Sequence, residues 1–163
     1  MSNRLLYFGG SGLLFLADRA SKLWVERNLS AFDLVLVIPG FFNLIHSENR
    51  GMAFSLLADS GSRWQPIVLI GVSLVVMAFV GYMLWHSLRS PSPRLQRAGL
   101  TLVFGGAMGN LYDRVARGSV TDFLDLYWRD FHWATFNLAD SGITVGALLL
   151  VTDMILHRDR KAN

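Results

Sequence analysis

The residues whose types and spacing could do chemistry concentrate between Gly105 and Asp140. This stretch begins inside an apolar run, leaves it through polar residues, and re-enters a second apolar run just after Asp140. Asp122 and Asp140 are therefore expected beside one membrane face, where a charge is costly unless it is paired, protonated or facing a polar cavity. Two carboxylates close to each other share one proton near neutral pH. The pattern therefore predicts a catalytic pair that hydrolyses an amide: one aspartate takes a proton from water, and the other protonates the leaving nitrogen.

Each of these aspartates also has a purely structural interpretation. Asp122 can be a loop or helix-capping carboxylate, and Asp140 can stabilise the start of the last helix, with Asn137 as the N-cap. Asp113 and Arg114 can pair locally, or Arg114 can hold an anionic group such as a lipid phosphate. Three further charges are interpreted as solvated loop residues: Asp125, Arg129 and Asp130.

The composition indicates a membrane protein and excludes several other classes. The chain has 163 residues, about one domain, and 52% of them are hydrophobic and clustered in long runs. The absence of cysteine excludes disulfides, thiolate zinc sites and a cysteine nucleophile. The formal charge of +3 comes from basic residues that are dispersed or flank the apolar runs. We therefore expect no nucleic-acid partner.

Four apolar runs predict an all-α membrane protein with one integral membrane domain over residues 1–163. We expect the spans at about 5–26, 66–86, 97–114 and 137–156. The first run also resembles a secretory signal peptide. It continues past Asp18 with helical spacing and has no small-x-small cleavage site at a suitable distance. We therefore expect an uncleaved first span.

Two long connections, at about 27–65 and 115–136, are expected to share one side of the membrane. Leu34–Ile38 is β-prone and is followed by the turn signal Pro39-Gly40, so a hairpin with residues 41–46 is predicted. Residues 52–57 are apolar but too few to span, and we expect a short interfacial helix there. His46 is interpreted as an interfacial side chain, because no second histidine stands at metal-ligand spacing.

Charge density predicts the orientation of the chain. Four spans place both termini on one side, where the short segments are rich in Lys and Arg and nearly free of acids, so we expect cytoplasmic termini. The polar residues near the span ends then share the outer, periplasmic face: Asp18, Lys22, Asn49, Asp122 and Asp140.

Two spacings indicate how the predicted spans meet. Asp18 and Lys22 are four residues apart, in the better order for an intrahelical ion pair. Such a pair lowers the cost of burying both charges, and it can also be a strut that fixes a neighbouring site. Gly105 and Gly109 permit close helix packing, which would bring Asn110 near another helix.

Six blocks of residues, in order and covering nearly the whole chain, resemble the lipoprotein signal peptidase family. They are Asp18-x-x-x-Lys22; Pro39-Gly40-Phe41-Phe42-Asn43-Leu44; Asn49-x-Gly51-x-Ala53-Phe54-Ser55; Gly105-Gly106-Ala107-x-Gly109-Asn110-Leu111-x-Asp113-Arg114; Gly118-x-Val120-x-Asp122-Phe123; and Phe136-Asn137-x-Ala139-Asp140. One block alone is a weak signal, but six together are specific. Arg50 and Tyr112 depart from the family pattern, and neither removes a catalytic group.

The resemblance implies an intramembrane aspartic endopeptidase, signal peptidase II, of the bacterial inner membrane. It implies cleavage of prolipoproteins before a cysteine that carries diacylglycerol, with Asp122 and Asp140 as the catalytic aspartates. Seven further residues would bind substrate or support the site: Asp18, Lys22, Asn49, Gly51, Asn110, Arg114 and Asn137. The family fold has four transmembrane helices, a small periplasmic β-sheet that forms a cradle, and a surface helix.

The expected partners are the prolipoprotein substrate and membrane lipids, with the chain as a monomer, no metal and no other cofactor. Two other classes compete with this interpretation. A proton-conducting transporter also uses membrane carboxylates, but it usually places them near the midplane between repeated halves, and this chain has no internal repeat. A structural subunit would use its polar residues only to hold helices together.

Overall fold

The computed structural model describes residues 2–51 and 64–161, and these form four helices and one four-stranded sheet. In chain order the elements are α1 (Ser2–Asn28), β1 (Leu34–Ile38), β2 (Phe42–Asn49), α2 (Trp64–Ser87), α3 (Arg94–Arg117), β3 (Val120–Trp128), β4 (Phe131–His132) and α4 (Leu138–Lys161). A helix covers each segment for which a span is predicted. The predicted interfacial helix at 52–57 lies outside the described residues.

Helix α3 lies at the centre of the bundle and contacts the other three helices. Its glycines permit this close approach of the helices because glycine has no side chain to separate them. A Cβ atom at Gly99 would lie 2.8 Å from the backbone oxygen of Gly146 in α4, and one at Gly105 would lie 2.7 Å from that of Ser11 in α1. The close packing predicted for Gly105 and Gly109 is confirmed, since a Cβ atom at Gly109 would lie 2.5 Å from the Asp18 carboxylate.

The predicted hairpin is confirmed by the pairing of β1 with β2. Leu34 is opposite Ile45 and Leu36 is opposite Asn43 in an antiparallel ladder. Gly40 in the connecting turn has a φ of 80°, a conformation that glycine adopts without steric cost. Strand β2 continues beyond the predicted residues, to Asn49.

Strand β3 was not predicted as a strand and is the main addition that the structure makes to the fold. Helix α3 ends at Arg117. The capping residue Gly118 donates its N–H to the backbone oxygen of Arg114 at 3.1 Å, and the chain then reverses into β3. Residues 120–123 are all buried, because the strand pairs with β2 and contacts α1 and α3. A strand buried on both faces lacks the polar–apolar alternation by which strands are predicted.

Among the described residues, two helical segments are long and apolar enough to cross a membrane. They are Pro66–Ser87 and Leu138–His157, with mean hydropathies of 2.6 and 1.6. Charged residues such as Asp18 and Lys22 lower the hydropathy of α1, and five charged residues do the same in α3. Val80 and Leu84 of α2 are buried in the core, but many of its other apolar side chains face outward, with Val75 70% exposed. An exposed apolar surface of this kind fits contact with lipid.

Candidate active site

Asp122 lies on β3 with both carboxylate oxygens hydrogen-bonded. The residue is 2% exposed. Its Oδ2 accepts a hydrogen bond from Asn49 Nδ2 on β2 at 2.9 Å, and its Oδ1 accepts one from Asn137 Nδ2 at 2.7 Å. The ladder explains the first contact: Ser47 is opposite Asp122, which places Asn49 diagonally across the strand pair. The strand pairing therefore aims an amide donor at the carboxylate.

Asp140 lies in the first turn of α4 and forms a capping box with Asn137. Asn137 Oδ1 accepts the backbone N–H of Asp140 at 2.9 Å, and Asp140 Oδ2 accepts the backbone N–H of Asn137 at 3.3 Å. The interpretation of Asn137 as the N-cap is therefore confirmed. A negative charge at Asp140 is favoured here by the helix dipole.

Asn110 completes the connection between the two aspartates. Its Nδ2 donates to Asp140 Oδ1 at 2.7 Å, and its Oδ1 accepts from Asn137 Nδ2 at 3.2 Å. Asn137 is fully buried and its amide contacts both aspartates. We call Asp122, Asp140, Asn49, Asn110 and Asn137 the aspartate–asparagine network. It joins β2, β3, α3 and α4 at one point.

A cluster of buried ion pairs lies beside this network. Lys22 Nζ is 2.7 Å from Asp18 Oδ2 and 2.7 Å from Asp113 Oδ2, and it donates to Asn110 Oδ1 at 3.2 Å. Arg19 also pairs with Asp113. Asp18, Lys22 and Asp113 are fully buried. Asp18 Oδ1 in turn accepts the backbone N–H of Ala139 at 2.9 Å, which ties the ion pair to the start of α4.

The environment of Asp122 raises its pKa to about 6, from an ordinary value near 3.8. Burial is the main cause, because it disfavours the charged form, and the negative charge of Asp140 adds to it. The hydrogen bonds from Asn49 and Asn137 and the charge of Lys22 act in the opposite direction. The carboxyl of Asp122 can therefore hold or release a proton close to physiological pH.

A groove opens beside Asp140, with a volume of about 610 Å³. One wall is the segment 133–136 with Leu126, and the other is the face of α4 that carries Asp140, Ser141, Thr144 and Val145. Most of these side chains are apolar. We call this cavity the Asp140 groove. Its shape and lining suit an extended, largely apolar chain segment next to a carboxylate.

Two other predicted site residues, Gly51 and Arg114, each donate a hydrogen bond to an asparagine of the network. Gly51 has a φ of 93°, and its N–H donates to Asn49 Oδ1 at 2.8 Å. Because only the amide oxygen of Asn49 can accept that N–H, the amide nitrogen, Nδ2, is directed to Asp122. Arg114 donates to the backbone oxygen of Asn110 at 3.3 Å. All nine predicted residues thus lie in or beside the network.

Two interpretations made from the sequence are wrong. Asp113 does not pair with its neighbour Arg114, because the helix directs it to Arg19 and Lys22 of α1. Asp125 is not a solvated loop charge: it is 4% exposed, and it accepts a hydrogen bond from Asn43 Nδ2 at 2.9 Å. Its Oδ1 also lies 2.9 Å from His132 Nδ1.

Sequence reasoning missed the contribution of Arg19 and a second contact between α1 and β3. Glu26 on α1 accepts a hydrogen bond from Thr121 on β3 at 2.7 Å and pairs with Arg117. A usable signal existed for Arg19, since it stands next to Asp18 in an apolar helix, where any unpaired charge is costly. In the described part of the chain, no group of three or more His, Cys, Asp or Glu residues is arranged to hold a metal ion.

Two solved structures of bacterial membrane enzymes have the same fold. One superposes with a TM-score of 0.77 at 25% sequence identity, covering 96% of this chain and 91% of that one. A second gives a TM-score of 0.74 at 25% identity, covering 91% of this chain and 92% of the other. The protein therefore belongs to the class of helical bacterial membrane enzymes that contain a small antiparallel sheet.

Residues 11–156 match the model of the family described as signal peptidase (SPase) II, and this chain belongs to that family of peptidases. A lipoprotein signal peptidase of Solibacter usitatus is 48% identical, covering 96% of this chain and 94% of that protein. Those of Geobacter sulfurreducens and Serratia marcescens are 43% and 42% identical, covering 89% and 94% of this chain and 88% and 86% of theirs. The family assignment made from the six sequence blocks is confirmed.

Proposed function

We propose that this chain is an aspartic endopeptidase that removes signal peptides from bacterial prolipoproteins within the membrane, cleaving before a diacylglyceryl-modified cysteine. Its substrate class is that named by its relatives, the lipoprotein signal peptidases. In this proposal the enzyme acts as a monomer surrounded by inner-membrane lipids, and its own carboxylates do the chemistry without a metal.

The observation that carries the proposal is the aspartate–asparagine network, which joins Asp122 to Asp140. Asn137 contacts both carboxylates: its Nδ2 donates to Asp122 Oδ1 at 2.7 Å, and its backbone N–H donates to Asp140 Oδ2 at 3.3 Å. Structural carboxylates need only local partners, as Asp140 would have from its cap alone. Joining the two by buried asparagines, next to a groove, instead suits a pair that shares one proton.

The environments of the two carboxylates support an assignment of roles. Asp122 is buried and its pKa is raised to about 6, so it is the proton-bearing member. Asp140 is partly exposed, lines the groove and stands at a helix N-terminus, so it is the ionised member. Asp140 takes a proton from water as the water oxygen bonds to the scissile carbonyl carbon. Asp122 hydrogen-bonds the carbonyl oxygen, and its proton then passes to the leaving nitrogen as the C–N bond breaks.

The remaining predicted residues have supporting roles in this proposal. Asn49, Gly51, Asn110 and Asn137 line the site and orient the aspartates. Arg114 uses one donor on Asn110, which leaves further guanidinium donors for substrate. Asp18 and Lys22 hold the start of α4 and the Asn110 amide in place.

We further propose that all four helices span the membrane, with both termini cytoplasmic. The C-terminal ends of α1 and α3, the N-terminal end of α4 and the sheet then meet at the periplasmic face, where the network lies. The charges of α1 and α3 are compatible with spanning because Asp18, Lys22 and Asp113 are fully buried and paired with one another.

The test is cleavage of a purified, diacylglyceryl-modified prolipoprotein by Asp122→Asn and Asp140→Asn, with thermal stability recorded for each. We expect each variant to lose activity by at least about 100-fold while keeping its folded state, because each removes a proton-transfer group. Asp125→Asn is the matched control: it is a buried aspartate on the same strand, bonded to Asn43 outside the network. Substantial activity in either network variant would make that residue structural and refute the pair.

A further inference from the structure

Thr144 lies on α4 one helical turn after Asp140, in the wall of the Asp140 groove. The nearby lining is mainly apolar, with Trp133, Leu126 and Val145 among its side chains. Thr144 is exposed to the groove rather than packed against another helix. A hydroxyl is therefore presented where a substrate next to Asp140 would lie.

The hydroxyl of Thr144 differs from the other hydroxyls of its helix. Ser141 Oγ donates to the backbone oxygen of Asn137 at 2.9 Å, and Thr152 Oγ1 donates to that of Leu148 at 2.8 Å. This internal bond is the usual way in which a helical serine or threonine satisfies its hydroxyl in an apolar setting. Within the described part of α4, Thr144 makes no such bond. The Thr144 hydroxyl is therefore available to pair with a ligand that occupies the groove.

We propose that Thr144 is a substrate-binding residue whose hydroxyl hydrogen-bonds the main chain of the signal peptide. This inference rests on the proposed function and names a contact of the same site. Four residues of helix advance about 6 Å, and about two residues of extended peptide cover the same distance. The apolar part of a signal peptide must run into the hydrocarbon, as α4 does from Asp140. The contact therefore falls about two residues before the scissile bond.

The main chain is the expected partner because of the chemistry of the groove. Apolar walls disfavour polar substrate side chains, whereas every substrate carries a main-chain N–H and C=O. A hydroxyl can donate to one or accept from the other. Thr144 thereby fixes the position of the peptide along α4, and with it the position of the scissile bond relative to Asp140.

The test compares Thr144→Val, which has the same shape without the hydroxyl, with Thr144→Ser, which keeps it. Thr152→Val is the matched control on the same helix. We expect Thr144→Val to lower kcat/KM about three- to tenfold, which is the effect of losing one neutral hydrogen bond. The loss should appear as a higher KM with little change in kcat. Thr144→Ser and Thr152→Val should stay close to wild type. An unchanged kcat/KM in Thr144→Val would overturn the assignment.

A synthetic lipopeptide substrate with an ester in place of the amide about two residues before the scissile bond localises the contact. The ester lacks the N–H and its carbonyl is a weaker acceptor, so it should weaken cleavage by wild type whichever group Thr144 pairs with. It should add less to the loss in Thr144→Val, because both changes act on the same bond. Equal ester penalties in both enzymes would overturn the proposal. If Asp140→Asn is inactive while Thr144→Val has normal activity, the role of Thr144 is refuted and the proposed function stands. If wild type does not cleave the lipopeptide, both the proposed function and the role of Thr144 are refuted.

Discussion

Replacement of Lys22 with methionine tests whether buried ion pairs hold the site together. Methionine has nearly the length of lysine but no charge, so the change leaves Asp18 and Asp113 without the cation that lies 2.7 Å from each. Arg19 still balances Asp113, and the Asp18 carboxylate is left with the N–H of Ala139. The result is one uncompensated buried negative charge.

The expected loss of stability is large. Breaking a buried pair by removing one partner costs about 3–5 kcal/mol. For a chain of this size each kcal/mol corresponds to about 2–4 °C, so the unfolding midpoint should fall by roughly 6–20 °C. Thermal unfolding in detergent, followed by tryptophan fluorescence, measures this. Arg50→Met is the control, because Arg50 is 79% exposed and its 3.7 Å pair with Glu48 is screened by solvent.

The double variant Asp18→Asn/Lys22→Met separates lost charge balance from lost packing. It removes both charges, so it should recover stability relative to Lys22→Met alone. A Lys22→Met midpoint within about 2 °C of wild type, on the scaling above, would refute the reasoning. A double variant no more stable than the single one would show that the cost does not come from the unpaired carboxylate. The single variant should also lose activity, because Lys22 directs Asn110 Oδ1 away from Asp140.

Two further predictions concern helix packing and pH. Gly109→Ala should lower the unfolding midpoint, because its Cβ would lie 2.5 Å from Asp18 Oδ2 and overpacking costs about 1–3 kcal/mol. Gly71→Ala is the control and should be neutral or stabilising, because a Cβ at Gly71 would have no atom within 4 Å. Equal midpoints for the two variants would contradict this prediction. The kcat/KM should fall as pH rises through the pKa of Asp122, about 6, because the protonated form is the active one. Asn49→Leu removes a hydrogen bond that lowers the pKa of Asp122, so the fall in kcat/KM should move to higher pH. A move to lower pH would refute the assignment of the proton to Asp122.

The position of the network bears on the two competing classes. Asp122 lies on a strand and Asp140 in the first helical turn of α4, so both are at an end of the bundle rather than midway along helices. A proton relay through the membrane would need carboxylates at successive depths. A purely structural subunit would have no need of a groove beside one of its carboxylates.

Much of the local structure could be predicted from the sequence because its causes are local. Apolar runs predict helices wherever they are long enough, and Pro39-Gly40 between β-prone segments predicts the hairpin. The four-residue spacing of Asp18 and Lys22 predicts their ion pair, since it depends on one helix alone. The spacing of Asn137 and Asp140 predicts the cap for the same reason.

Only the tertiary structure decided which distant residues meet. Asp113 pairs with Arg19 and Lys22 across two helices, and no pattern in the sequence distinguishes that partner from the adjacent Arg114. Asp125 has the sequence context of a loop charge but is buried, because β3 pairs with β2 and brings Asn43 to it. Periodicity records whether a position is buried or exposed within its own element. The contacts that build the network depend on how strands and helices far apart in the chain pack together, and that packing is set by the whole fold.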